Sequence, residues 1–227
     1  MTDFLPLPQS MVQRAREFRG PPAPARAAAT VVLLRPTPTT FEVYVLRRRT
    51  TMVFGGVYAF PGGGVDPSDR LPGAVSGVSD DLARRLGLPP GEAAAVLAAA
   101  VREVHEETAV RLDVDQLRPW TRWVTPEFEP RRFDTWFFVA AVPAGQVAQD
   151  ISGEADLTAW IRPADALTRY AAGEFRMLPP TVAVLRDLAA YPRLEDIVAA
   201  ARGRDASRPV VPRVELTPDG GAHLHLP

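Results

Sequence analysis

The run Arg102-Glu103-Val104-His105-Glu106-Glu107 concentrates negative charge in a stretch whose neighbours strongly favour helix. At about 100° per residue, Glu103, Glu106 and Glu107 fall within an arc of roughly 100° on one helix face. Carboxylates that close repel one another unless something positive sits among them. Hard divalent cations prefer oxygen ligands, and magnesium takes a few carboxylates together with waters and phosphate oxygens. Arg102 stands four residues before Glu106 and steadies the cluster as an i, i+4 pair. Val104 turns the other side of the helix toward a core. A solvated charged face is the bland alternative, but here the acids are not evenly interleaved with cations.

Upstream lies Phe60-Pro61-Gly62-Gly63-Gly64-Val65-Asp66. Glycines let the backbone approach a ligand closely and adopt positive φ. A turn of this kind between a strand and an acidic helix offers carbonyl oxygens to a metal and amides to phosphate. Taken alone, it would pass for an ordinary glycine turn.

Other residues qualify by type and place. Arg47, Arg48 and Arg49 end a strand ahead of the glycine bend, where guanidinium forks suit phosphates; a solvated strand edge would look the same. Arg131 and Arg132 lie in a strand connection and are weighed for a second phosphate. Glu154, in the Ser152-Gly153-Glu154-Ala155 loop, is a candidate extra ligand or base, with a surface-loop role equally in view. Trp120, Trp123, Phe128 and Trp136 have faces on which a base could stack, although strand aromatics more often belong to cores. His223 and His225 alternate on a terminal strand and read as structural.

These groups need a frame. Ala27–Arg35 is a continuous apolar run that reads as a buried strand, and Phe41–Arg48 pairs with it as a hairpin. Val57–Phe60 is a short strand entering the glycine bend. A helix is expected over Asp80–Leu86 and a long one over Glu92–Thr108, with Leu97, Val101, Val104 and Thr108 as its buried stripe. Leu117–Val124, Phe133–Val142 and Leu157–Arg162 read as strands. Pro163–Ala172, Pro180–Tyr191 and Leu194–Ala201 read as helices, the first with proline in its opening turn. Gln9–Arg19 suggests a short polar helix in an arm on the surface. A hairpin is expected around Pro218-Asp219-Gly220-Gly221. Strands interleaved with helices give an α/β or α+β layered domain.

Composition narrows the function. A net charge of −1 gives no global field toward nucleic acid or an anionic membrane. With no cysteine, disulfides, thiolate catalysis and cysteine-ligated zinc are excluded. No run approaches the ~20 apolar residues that span a bilayer. Met1–Pro8 lacks the pattern of a secretory leader. A cytoplasmic enzyme is the expectation.

Together the glycine bend and the acidic helix resemble the Nudix box, G-x5-E-x7-R-E-U-x-E-E-x-G-U with U apolar. The match runs from Gly63 to Arg102-Glu103-Val104-His105-Glu106-Glu107-Thr108-Ala109-Val110. Asp69 stands where the box has its first glutamate, and Ala109 where it has its second glycine. Asp69 and Arg102 are separated by 33 positions rather than 8, an insertion of 25. Asp66, Asp69 and Glu92 are all candidates to replace the glutamate that orients Arg102. Val45–Thr50 with Gly56-x3-Phe60-Pro61-Gly62-Gly63, and Leu178-Pro179-Pro180-Thr181, resemble the branch that includes peroxisomal-type coenzyme A diphosphatases, where an inserted segment also splits the box. Met52 departs from that signature, which has a basic residue there.

The resemblance implies an α/β/α sandwich with a mixed central sheet, extra C-terminal helices and a terminal hairpin. It implies a Nudix domain over 26–205 with a box insertion about 70–92, preceded by an arm (1–25) and followed by a hairpin tail (206–227). It implies Mg²⁺ or Mn²⁺ held by Glu103, Glu106, Glu107 and the Gly62 or Gly63 carbonyl, with Arg102 positioning Glu103. Glu154, Glu106 and Glu107 are the base candidates, and Arg47, Arg49, Arg132, Gly62 and Gly63 the substrate contacts. The implied substrate is a nucleotide-like diphosphate: coenzyme A or an acyl-CoA first, then ADP-ribose, NADH or a nucleoside triphosphate. A Nudix-fold binding domain without turnover is the rival of another class. Relatives often dimerise, so a homodimer is expected too.

Overall fold

Two strands that begin as a hairpin and then part company set the geometry of this fold. The structure, a computed structural model, describes residues 4–6, 9–50, 55–217 and 222–225. Met52, the Pro218–Gly221 turn and the side chains of His223 and His225 lie outside the described residues. Strand β2 (Ala25–Pro36) pairs antiparallel with β3 (Phe41–Arg48) only near their turn, from Leu34↔Val43 to Pro36↔Phe41. Beyond it the segment carrying β4 (Tyr58–Ala59) and β5 (Gly62–Gly64) enters between them. It pairs first with β3, at Leu46↔Ala59, and then with β2, at Thr30↔Gly62 through Ala28↔Gly64. The glycines therefore form a strand rather than a loop, which their lack of side chains hides from any periodicity argument.

The other edge of β2 pairs in parallel with β7 (Arg132–Ala141), and β7 pairs antiparallel with β6 (Arg118–Val124). Strand β8 (Ala155–Ile161) pairs antiparallel with β3. The result is a seven-stranded mixed sheet. Both faces are covered, which is why β2 reads as an unbroken apolar run. Ala29, Val31 and Leu33 pack on one side with α3 (Pro90–Thr108), while Val32 and Leu34 pack on the other with α5 (Pro179–Ala189) and α6 (Leu194–Ala201). Helix α4 (Pro163–Ala171) joins the second layer through Ala166. This is the expected α/β/α sandwich.

Beyond the glycine strand the chain folds into a 3-10 turn over Pro67–Arg70 and then α2 (Asp80–Leu86), capped by Ser79 and ended by left-handed Gly87. Leu86 is fully buried, and its carbonyl accepts the Trp136 indole N–H at 2.9 Å. Strands β9 (Arg213–Leu216) and β10 (Ala222–His225) form the expected hairpin, joined by an unforeseen strand β1 (Phe4–Pro6). Helix α1 (Gln9–Glu17) is mostly polar, but Val12 is buried in the second core, so this arm is packed into the domain rather than merely laid on its surface.

Candidate active site

Helix α3 aims two carboxylates at the glycine strand. Its Leu97, Val104 and Thr108 are fully buried and fix the rotation of the helix about its axis. Glu103 and Glu107, one turn apart, then share a face. The carboxylate of Glu103 lies so close to Gly63 that a Cβ there would sit 2.3 Å from its Oε1. The Gly62 amide donates to Glu107 Oε2 at 3.0 Å. At Gly62, with φ of 154°, a Cβ would instead strike the Ala29 carbonyl oxygen at 2.3 Å.

Arg102 ties this corner together. It donates to Asp69, Glu103 Oε1 at 2.9 Å, Glu106 Oε2 at 3.0 Å and the Gly64 carbonyl at 3.0 Å. Of the three acids weighed as its partner, Asp69 takes the place: it is buried, while Asp66 stands 3.8 Å away and Glu92 is drawn off by Arg70 at 2.6 Å. Hydrogen bonding to Asp69 is the main reason the Arg102 guanidinium is held even more firmly protonated than usual. Burial pushes the Glu103 carboxyl up, against the pull of Arg102. Burial pushes Glu107 up to about 8, opposed by the Gly62 amide and reinforced by the charge of Glu103.

The glycine strand opens onto a cleft of about 500 Å³ on the opposite face of the sheet. Ala28 and Thr30 of β2, and Thr135 and Phe137 of β7, point into it by strand alternation. Because β5 has no side chains, acids from the α3 layer reach a cavity belonging to the α5 layer. Glu103 and Glu107 line it, with Glu129 and Glu154; among the described residues Arg48 is the one basic side chain of that lining. The first turn of α5, Leu178 to Thr181, closes one side.

The other expected residues fall elsewhere. Arg47 is paired with Asp156 at 2.6 Å, and Arg49 donates to the Ala155 carbonyl; neither lines the cleft. Neighbouring residues of a strand point to opposite faces, so Arg48 departs from Arg47 and Arg49. Arg132 is spent on the carbonyls of Thr125 and Ala23. Glu106 is half-exposed, outside the lining, and held by Arg102. Glu154 is exposed at the rim, close enough for its charge to raise Glu107. Trp120, Trp123 and Trp136 are buried in the cores and are not stacking platforms. Sequence reasoning missed Glu129, buried in the β6–β7 connection and bonded to Arg14.

A model of the NUDIX domain matches residues 24–180. The chain belongs to the NUDIX family. This Nudix domain is 28% identical to a NUDIX hydrolase from Alicyclobacillus acidocaldarius, whose crystal structure superposes with a TM-score of 0.65 over 81% of this chain and 98% of that one. It is 26% identical over 204 residues to a Caenorhabditis elegans protein named as nudix hydrolase 7, covering 83% of this chain and 68% of the relative. Over 116 residues it is 29% identical to the human acyl-coenzyme A diphosphatase NUDT19, covering 49% of this chain and 31% of the relative. The protein is thus a Nudix hydrolase, a member of a family whose reaction is hydrolysis of a diphosphate bond.

The family uses a divalent metal, and the donor chemistry here fits one. A buried carboxylate and a half-buried one, the second raising the pKa of the first, stand beside a side-chain-free strand at the head of a cleft. Cation binding would relieve that repulsion. Among the described residues no three His, Asp or Glu side chains are already gathered around one point. Glu106 accepts from Arg102 and lies outside the cleft lining that Glu103 and Glu107 share.

Proposed function

We propose that this Nudix hydrolase cleaves the diphosphate of a nucleoside-diphosphate-linked substrate, with coenzyme A or an acyl-CoA as the foremost candidate. The observation that carries this is the placement of Glu103 and Glu107 against Gly62 and Gly63 at the head of a largely apolar cleft. Glu103, Glu107 and a released Glu106 would hold Mg²⁺ or Mn²⁺, which neutralises diphosphate charge and acidifies water when bound. Around it, the chain's own groups have separate tasks. Arg102, locked by Asp69, keeps Glu103 turned to the glycine strand. Arg48 offers positive charge to the anion, where the other charged groups of the lining are acids. Glu154 at the rim, or Glu107, accepts the proton of the attacking water as its oxygen bonds to phosphorus and the bridging P–O bond breaks. Phe60, Phe133, Phe137 and Met11 exclude water from the non-phosphate part of the substrate.

Two features favour coenzyme A. The Leu178-Pro179-Pro180-Thr181 segment, which resembles the coenzyme A branch, forms part of the cleft wall. The similarity to the human acyl-coenzyme A diphosphatase points the same way. The test is product release from coenzyme A, dephospho-coenzyme A, ADP-ribose, NADH and a nucleoside triphosphate with Mg²⁺, beside Glu103→Gln and Glu106→Gln. Turnover of coenzyme A with the highest kcat/KM, reduced about 100-fold or more by either substitution, is expected. A panel left intact by the parent protein, or a Glu103→Gln enzyme as active as the parent, would overturn the reading. A preference for ADP-ribose would replace the substrate.

A further inference from the structure

The acid that the proposed chemistry leaves unused is Glu129. It is 5% exposed, yet it lines the cleft. A carboxylate so buried is costly unless it is paired. Its partner is Arg14 of α1, which donates from Nε at 3.2 Å and from Nη2 at 3.0 Å. Both bonds go to the same oxygen, Oε1. Among the described residues Oε2 has no protein donor. A carboxylate clamped through one oxygen offers the other as a fixed acceptor.

Its surroundings narrow what it could accept. Thr125, Phe133 and Phe137 line the cleft with it, and so does Met11, which sits on the same helix as Arg14. Glu129 thus stands among apolar walls built partly by α1, a helix outside the 24–180 segment that matches the family. A negative charge there repels a phosphate. It favours a neutral group bearing an N–H or O–H.

We propose that Glu129, positioned by Arg14, determines specificity by accepting a hydrogen bond from a neutral donor group on the non-phosphate end of the substrate. This rests on the diphosphatase reading above. The donor is an amide N–H or hydroxyl of a pantetheine-like arm, or the exocyclic amine of a base; these share one chemistry and differ in which substrates carry them. Arg14 is a positioning residue, acting only through Glu129.

The experiment is steady-state kinetics with Mg²⁺ on coenzyme A, ADP-ribose and the inosine analogue of ADP-ribose, comparing the parent with Glu129→Gln, Glu129→Leu, Arg14→Met and Arg14→Lys. A charge-assisted hydrogen bond is worth roughly tenfold or more. Glu129→Leu should raise KM at least about tenfold with kcat changed less than about threefold. Glu129→Gln, which keeps an acceptor, and Arg14→Met should each raise KM less, and Arg14→Lys should restore it. An effect confined to coenzyme A assigns the arm; an effect on ADP-ribose but not on its inosine analogue assigns the amine. If Glu129→Leu does not fold, Glu129→Gln and Arg14→Met carry the same test. Unchanged KM in folded variants of an active enzyme, or a loss confined to kcat, would overturn the assignment and leave the diphosphatase reading intact. A parent inactive on every diphosphate would remove both.

Discussion

Asp69 grips Arg102 with two hydrogen bonds, from Nε to Oδ1 at 3.0 Å and from Nη2 to Oδ2 at 2.9 Å, across 33 residues of sequence. The 3-10 turn at Pro67–Arg70 makes this contact feasible. It brings Asp69 back under α3, and Asp69 also accepts the Asp66 amide at 2.8 Å. Between Asp69 and Arg102 the chain forms α2, which buries Ala83 and Leu86 in the core shared with α3. Arg102 is left with the hand that faces Glu103 and Glu106.

Asp69→Asn removes the charge that fixes Arg102 and keeps the shape. Breaking one partner of a largely buried pair costs about 2 kcal/mol or more. The expected outcome is a lower midpoint in urea together with a kcat reduced at least about tenfold, because Glu103 loses its brace. Glu at 69 should recover much of the activity. Urea melts and kcat of both variants check this; an Asp69→Asn enzyme of parental stability and kcat would deny the brace.

Gly62 and Gly63 are adjacent, yet they should fail differently. A Cβ on Gly62 meets backbone of Ala29 and Thr30, which cannot yield without opening the sheet. The three atoms nearest a Cβ on Gly63 all belong to the carboxylate end of Glu103, a side chain that can yield at the expense of its Arg102 contact where backbone cannot. Gly62→Ala is expected to destabilise by about 2 kcal/mol or more. Gly63→Ala should melt within a few degrees of the parent while kcat falls by roughly 100-fold. Thermal melts and kcat, measured side by side, separate the two.

Much of this frame is legible in the residues, for physical reasons that also explain the gaps. Ranges for β3, α2 and α6 coincide with the sequence reading because apolar periodicity, a Ser79 cap and proline or glycine stops mark their ends. The acidic helix was legible because its chemistry is local. What depends on distant pairing was not. Gly62–Gly64 as a strand, the choice of Asp69 over Asp66 and Glu92 as the partner of Arg102, and Glu129 on Arg14, 115 residues away, each require the fold. That Arg48 rather than Arg47 or Arg49 lines the cleft follows from alternation along the strand only once the position of the cleft beside β3 is known.

The metal-free protein should lose stability as pH rises from the ordinary glutamate range near 4.5 to about 8, the value to which burial pushes Glu107. Over that window the unfolded state has released the proton that the folded state keeps, so unfolding is progressively favoured. The loss is roughly 3–5 kcal/mol at most for such a shift. Glu107→Gln resembles the protonated form and should flatten the slope, being more stable than the parent at pH 8 in EDTA. Mg²⁺ should restore the parent there and have less effect on the variant. Melting temperatures between pH 5 and 8.5, with and without Mg²⁺, decide it; a parent whose melting is flat with pH would contradict a protonated Glu107.

Ala109 ends α3 with φ of 61° and ψ of −2°, a left-handed conformation unfavourable for a residue with a Cβ. Its amide still donates to the His105 carbonyl at 2.9 Å, so the helix closes properly and the strain is local. The acids lie upstream of this cap, and Glu107 is oriented by Gly62 rather than by the helix end. Ala109→Gly should therefore stabilise the protein by about 1 kcal/mol and leave kcat and KM on the best substrate of the panel unchanged. Guanidinium unfolding measures the first and steady-state kinetics the second. A variant less stable than the parent would mean that the Ala109 methyl contributes packing that outweighs its backbone strain.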